Sequence, residues 1–239
     1  MPRTDPGERI YAIGDIHGRY DLLRELLDRI GAHSAALPES QSLHLLFLGD
    51  LVDRGPESAK VVEFLHDLEK QTDQVIVLMG NHEEAMVRSV EGDSVTLQRW
   101  LSVGGAETVA SYGLRLPDQG EDLRNYTRYL QASIPQKQMR WMKSLPLTAR
   151  SGDYFFCHAG IRPGVPLGRQ ARADLLWIRG DFVDDMGDHG AVIVHGHTIE
   201  ETVTMRPNRI GIDTGAYRSG VLTALYLEDD RSEIISAAA

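Results

Sequence analysis

Five short stretches carry residue types able to hold metal ions and move protons: Asp15-Ile16-His17, Asp50 with Asp53 and Arg54, Asn81-His82, His158, and His197. Carboxylates, one amide and several imidazoles make a mixed oxygen and nitrogen donor set. Such a set suits Mn²⁺, Fe or Zn²⁺ better than Ca²⁺, which takes oxygen ligands. No cysteine cluster is present, which excludes a structural zinc ribbon. Asp15 and His17 stand two apart, so in extended backbone both side chains leave the same face and can grip one cation. A metal held this way is catalytic in type.

The first three stretches each follow an apolar run that ends in glycine: residues 10–13 before Gly14, 45–48 before Gly49, and 75–79 before Gly80. These runs read as buried strands. The glycines recur at roughly 30-residue intervals, the length of one strand-helix-strand unit. The first connection predicts a helix with Leu22, Leu26 and Ile30 on one face and Gly31 as its cap. The second opens with Gly55-Pro56-Glu57, with proline suited to a first helical turn, and carries Val61, Val62, Leu65 and Leu68. In open α/β sheets, ligands gather beyond the C-terminal strand ends, so the scattered donors are expected to converge.

From about residue 83 to 144 the pattern predicts a helical insertion anchored by Trp100, Leu101, Val109, Tyr126, Leu130, Met139, Trp141 and Met142. Gly104-Gly105 and a loop over 117–122 interrupt it. Strands resume over 154–157 and 191–194, and β-like runs follow over 210–212, 222–227 and 234–235.

The 239 residues are 42% hydrophobic and 25% charged, the balance of a soluble globular chain, and one domain over 1–239 with the insertion inside it is expected. No apolar run reaches the ~18 residues of a membrane span and the opening residues lack a signal-peptide pattern, so a cytoplasmic protein without membrane attachment is expected. The single cysteine, Cys157, cannot close an intrachain disulfide and reads as an inert core residue. A net charge of −10 argues against nucleic-acid binding. Two divalent ions against Asp15 and Asp50 would nevertheless leave a local charge of about +2 and draw in phosphate.

The ordered blocks Gly14-Asp15-Ile16-His17-Gly18, Gly49-Asp50-Leu51-Val52-Asp53-Arg54-Gly55, Gly80-Asn81-His82-Glu83, His158-Ala159-Gly160 and Gly196-His197-Thr198 resemble the calcineurin-like metallophosphoesterases. Within that superfamily the chain, from Ile10 to about Ala216, is most similar to the bacterial and phage serine/threonine protein phosphatases. The resemblance implies an α/β fold, a four-layer α/β/β/α sandwich of two mixed sheets flanked by helices. It implies two divalent metal ions, Mn²⁺ foremost, with Fe or Zn²⁺ as alternatives. Asp15 and His17 would hold the first ion, Asp50 would bridge both, and Asn81, His158 and His197 would complete the second. Arg54 and Arg179, the latter in Trp177-Ile178-Arg179, would bind phosphate; His82 would protonate the leaving group, and Asp53 would orient its ring.

The implied reaction is in-line attack of a metal-bridging hydroxide on a phosphomonoester. The implied partner is a phosphoprotein carrying phosphoserine or phosphothreonine, with phosphotyrosine also allowed. Two alternatives stand beside it: a symmetrical dinucleoside tetraphosphate hydrolase, whose members carry alanine where Asp53 stands, and a non-catalytic scaffold. His195 reads as a ring behind the ligands or in the core. Arg162, Tyr217 and Arg218 fall near the crevice mouth, and Gly104-Gly105 with Tyr112 reads as a helix cap or a lid. His33, His44, His66 and His189 read as solvent-facing or loop residues.

Overall fold

The first three apolar runs become neighbouring parallel strands, β1 (Glu8–Ile13), β2 (Ser42–Phe47) and β3 (Val75–Val77), in a computed structural model that describes residues 1–239. Helices α1 (Tyr20–Ala35) and α2 (Ser58–Glu69) make the crossovers. Two C-terminal strands, β9 (Val221–Glu228) and β10 (Arg231–Ala238), complete the sheet in the order β10-β9-β1-β2-β3, with β9 antiparallel to β1. The second sheet runs β4-β5-β6-β8-β7, from β4 (Thr148–Ser151), β5 (Tyr154–Cys157), β6 (Val192–His195), β7 (Thr204–Met205) and β8 (Arg209–Gly211). Strands β5, β6 and β8 are parallel, and β4 and β7 pair antiparallel at the edges.

Alternation along the strands sets the layers. Ile10, Ala12, Leu46 and Leu225 point inward and meet Phe156, Val194 and Ile210 of the second sheet. Their neighbours Tyr11, Ile13, Phe47 and Val77 point outward, into a larger core shared with α1, α2 and the insertion. A strand buried on both faces has no polar alternation, which is why these runs are continuously apolar. The outer face of the second sheet is covered by Leu175, Ile178 and Phe182, packed on Phe155, Cys157 and Ile193. The result is two mixed sheets flanked by helices, as the sequence implies.

The insertion is five helices, α3 (Asn81–Glu91), α4 (Ser94–Trp100), α5 (Ala106–Ser111), α6 (Leu123–Ser133) and α7 (Gln136–Ser144). Asp93 and Asp122 cap α4 and α6 by accepting the Thr96 and Arg124 amides at 3.0 and 2.9 Å. Short helices α8 (Arg172–Trp177), α9 (Gly180–Val183) and α10 (Ala216–Ser219) follow later in the chain.

Several boundaries differ from the sequence reading. Gly31 lies inside α1 rather than capping it, since one helical glycine costs only about 1 kcal/mol against a well-packed apolar face. Pro56 precedes α2, which starts at Ser58. The insertion begins at Asn81, so a candidate ligand opens its first helix. Strands β4 and β7 are too short to leave a periodic signal. No helix is long and apolar enough to cross a membrane.

Candidate active site

Six non-glycine residues have positive φ, and five of them are candidate site residues: His17 (45°), Asp50 (51°), Asp53 (76°), Arg54 (69°) and His197 (62°). Left-handed backbone costs an L-residue roughly 1–2 kcal/mol, so each needs surroundings that enforce it. For the loop after β2 the enforcing group is Glu83, a fully buried residue that sequence reasoning quoted in its block but gave no role. Its carboxylate accepts the amides of Asp50 (2.8 Å), Leu51 (2.8 Å), Val52 (3.3 Å) and Gly80 (2.9 Å). It thereby ties the β2 and β3 strand ends together and caps α3. Burial and the neighbouring Asp50 push its carboxyl up to about 7, against the pull of those amides. The signal available in the sequence was a glutamate three residues after a glycine at a helix start.

The candidate ligands converge and are buried. One donor atom each from His17, Asp50 and His82 lies within 4.8 Å of the others, and so does one each from Asp50, His158 and His197. Asp50 therefore belongs to both trios, the position a bridging carboxylate requires. The His17 and His158 Nδ1–H groups donate to the Val52 and Leu48 carbonyls at 2.7 and 2.9 Å. That fixes the tautomer and aims each Nε2 lone pair at Asp50, 3.5 and 3.4 Å away. Asn81 Oδ1 stands 2.8 Å from His158 Nε2. His197 Nε2 is buried without any hydrogen-bond partner. Burial lowers the His17 ring to about 3 and His197 to about 2, and also lowers His158, keeping all three neutral. Neutral, tautomer-locked imidazoles and an orphaned buried nitrogen are the donor set of a divalent cation, and the residues fit a two-cation centre.

Asp15 stands beside these trios rather than within them. Its oxygens accept the His197 amide at 3.2 and 3.1 Å, and a side chain at Gly196 would overlap Oδ1, so the carboxylate is clasped by the loop after β6. Burial, with Asp213 and Asp50 close by, pushes its carboxyl well above the usual range. Asp213, which sequence reasoning left without a role, is raised to about 6, chiefly by burial. Three buried carboxylates so near one another call for positive charge among them.

His82 Nδ1–H donates to Asp53 Oδ2 at 2.5 Å, and its Nε2 faces Arg54 Nη2 at 3.0 Å. Burial works against a charged ring at His82, but Asp50 and Asp53 outweigh it and raise its pKa. Asp53 in turn is held by the insertion. Trp100 Nε1–H donates to its oxygens at 3.0 and 2.9 Å, and the Thr108 hydroxyl at 2.7 Å. Burial nonetheless pushes the Asp53 carboxyl up. Gly104 (φ 124°) accepts the Arg54 amide at 3.0 Å, and a Cβ there would lie 2.7 Å from Arg54 Cγ. The Gly104-Gly105 turn is thus a seat for Arg54 and, through Gly105 on the Trp100 ring, for Asp53, and Gly105 stands at the N-cap of α5. Tyr112 donates to Gln138 within the insertion.

Arg54 Nη1 faces His17 Nε2 at 2.7 Å, and its guanidinium lies over the Tyr217 ring at 4.8 Å, so Tyr217 joins the site. Exposed Arg179 lines the same cavity as Arg54, Asn81 and His82, donating to the His197 carbonyl at 3.4 Å. Arg162 is engaged away from the cavity by Asp174 and Asp181, and Arg218 is exposed on α10. His195 is a core ring: Nδ1–H donates to the Gly196 carbonyl and Nε2 accepts from buried Arg209. His66 is buried against Trp141 rather than solvent-facing, because α7 covers that face of α2.

The profile of the calcineurin-like phosphoesterases matches residues 8–218. The chain belongs to this family. Among its relatives is a Geobacillus sp. (strain WCH70) protein named bis(5'-nucleosyl)-tetraphosphatase PrpE [asymmetrical], 29% identical over 90% of this chain and 89% of its own length. A Bacillus thuringiensis (strain Al Hakam) protein of the same name is 29% identical over 89% of this chain and 88% of its own length. A crystal structure of a candidate diadenosine tetraphosphatase superposes with a TM-score of 0.68 at 22% identity, covering 100% of this chain and 99% of its own. A cold-active protein tyrosine phosphatase follows at 0.62 and 21%, covering 98% and 80%, a likeness that shows the fold alone.

These relatives overturn the serine/threonine protein phosphatase and the phosphoprotein partner expected from the sequence. They favour the nucleotide alternative, with the asymmetrical rather than the symmetrical name. The weight placed on Asp53 explains the error. Asp53 contacts His82, Trp100 and Thr108, so its presence reflects the setting of the His82 ring and carries no information about the group being cleaved off.

Proposed function

We propose that the chain hydrolyses bis(5'-nucleosyl) tetraphosphates asymmetrically. The observation that carries the reading is the match of relatives bearing that name along nearly the whole of both chains. The water oxygen bonds to one phosphorus, one bridging P–O bond breaks, and the products are a nucleoside triphosphate and a nucleoside monophosphate.

Asp15, His17, Asp50, Asn81, His158 and His197 would hold two divalent cations, assigned as Mn²⁺, which when bound supply Lewis acidity at the phosphoryl oxygens and an activated water. Arg54 and Arg179 grip the non-bridging oxygens with planar forks that stay charged at any working pH. His82 holds a proton for the departing oxygen at Nε2, and Asp53 keeps its ring oriented through Nδ1. The setting proposed is the cytoplasm, where a lone thiol stays reduced.

The test supplies the purified chain with Mn²⁺ and either diadenosine tetraphosphate or a phosphoserine peptide, and separates products by ion exchange. ATP and AMP in equal amounts are expected. Two ADP would overturn the asymmetry, and faster turnover of the peptide would overturn the substrate class.

A further inference from the structure

A cavity of about 250 Å³ is lined by Asn81 and His82 together with Arg88, Thr96, Arg99 and Val103 of the insertion. Three of its guanidinium groups, Arg54, Arg99 and Arg179, have no carboxylate within 4.0 Å, although acids outnumber bases by ten in this chain. The adjacent arginines are neutralised: Arg88 by Asp93 at 2.6 Å and Arg172 by Glu84 at 2.7 Å. Uncompensated cations around one concavity repel one another unless an anion sits between them. One phosphoryl group is served by Arg54 and Arg179 beside the imidazoles. Arg99, brought from a different part of the chain, is surplus to a monoester and matches further phosphates.

Trp177 lines the same cavity and is 42% exposed, unusual for the largest apolar side chain. It is not a loose ring. Its Nε1–H donates to Glu84 Oε2 at 2.8 Å, and Arg172 holds the other oxygen of that carboxylate. An indole fixed at its polar end, with apolar area open beside a cluster of cations, is the arrangement that stacks a base whose phosphates lie on the cations.

We infer that this cavity is a nucleotide subsite, in which Arg99 binds phosphates beyond the scissile bond and Trp177 stacks the nucleobase. The inference rests on the tetraphosphate reading and deepens it, because it assigns selectivity for a nucleoside polyphosphate to residues outside the motif blocks.

Two readouts test it on the full chain. In EDTA, ATP titrated onto the protein is expected to quench tryptophan emission. Trp177→Phe should remove most of that quench, and Arg99→Gln should raise the ATP dissociation constant about tenfold. With Mn²⁺, Arg99→Gln and Trp177→Ala should each raise KM for diadenosine tetraphosphate about tenfold. The preference for that substrate over p-nitrophenyl phosphate should fall in proportion. Arg231→Ala, an exposed arginine on β10, should keep the wild-type ratio. Both site residues are exposed, so the variants are expected to melt with the wild type. If the wild type cleaves the tetraphosphate while both variants keep its preference and ATP quench within twofold, the subsite is wrong and the activity stands. If the wild type does not cleave the tetraphosphate, both fall.

Discussion

The strand-end loops and the wall of the cavity facing them are built on opposite principles. Residues Asp50 to Arg54 are mostly buried, carry three left-handed non-glycine residues, and are bound by Glu83, Ser58 and Thr108. Arg99 and Trp177 across the cavity are exposed, and Arg99 has no polar partner for its side chain. Chemistry demands fixed positions, and fixed positions need burial and satisfied hydrogen bonds. Recognition of a charged, wet substrate needs side chains still free to pair. Substitutions that remove a hydrogen bond from the first region should therefore damage fold and rate together, whereas those in the second should move binding alone.

The sharpest break of this contrast is Asp50→Asn. The amide still accepts the His82 N–H, now 3.0 Å from Asp50 Oδ1, so the fold is expected to persist while phosphoanhydride hydrolysis falls about a thousandfold or more. Glu83→Ala comes next. Four buried amides lose their acceptor, which costs roughly 3 kcal/mol or more and should lower Tm by about 6–12 °C with a loss of activity. Calorimetry beside an activity assay checks it, and an unchanged Tm would remove Glu83 from the account.

Trp100→Phe and Thr108→Val each delete one donor to Asp53 and should cost about 1 kcal/mol of stability and several-fold in kcat, with KM little changed. A KM effect as large as that of Arg99→Gln would erase the distinction between the two regions. Smallest of all is Arg162→Ala. Its ion pairs with Asp174 and Asp181 are partly exposed, and both stability and rate should stay within about 0.5 kcal/mol of wild type.

Cys157 probes burial without altering the chain. Packing pushes its thiol up to about 12, so the reactive thiolate is scarce at pH 8, and iodoacetamide should leave the folded protein unmodified but label it in urea.

The first three strands with their helical crossovers, and the polar residues that follow them, were legible because each motif sits within a few residues of its apolar run. The supports were not. Asp53 is held by residues 47 and 55 positions away, and no local pattern says which buried acceptor the Trp100 N–H will find. Read by pattern, Trp100 is only an apolar anchor, and Gly104 only part of a helix cap or a lid. Substrate class was hidden for the complementary reason: the blocks encode a generic phosphoryl centre, whereas Arg99, proposed above to bind further phosphates, stands outside every motif and Trp177 entered only as a neighbour of Arg179.

The central claim is that Asp50 lies between two cations, with His17 on one side and His158 and His197 on the other. Crystals grown with Mn²⁺ and measured at its absorption edge test it directly. Two anomalous peaks about 3.5–4 Å apart flanking the Asp50 carboxylate are expected. A single peak, or none within reach of Asp50, would contradict it.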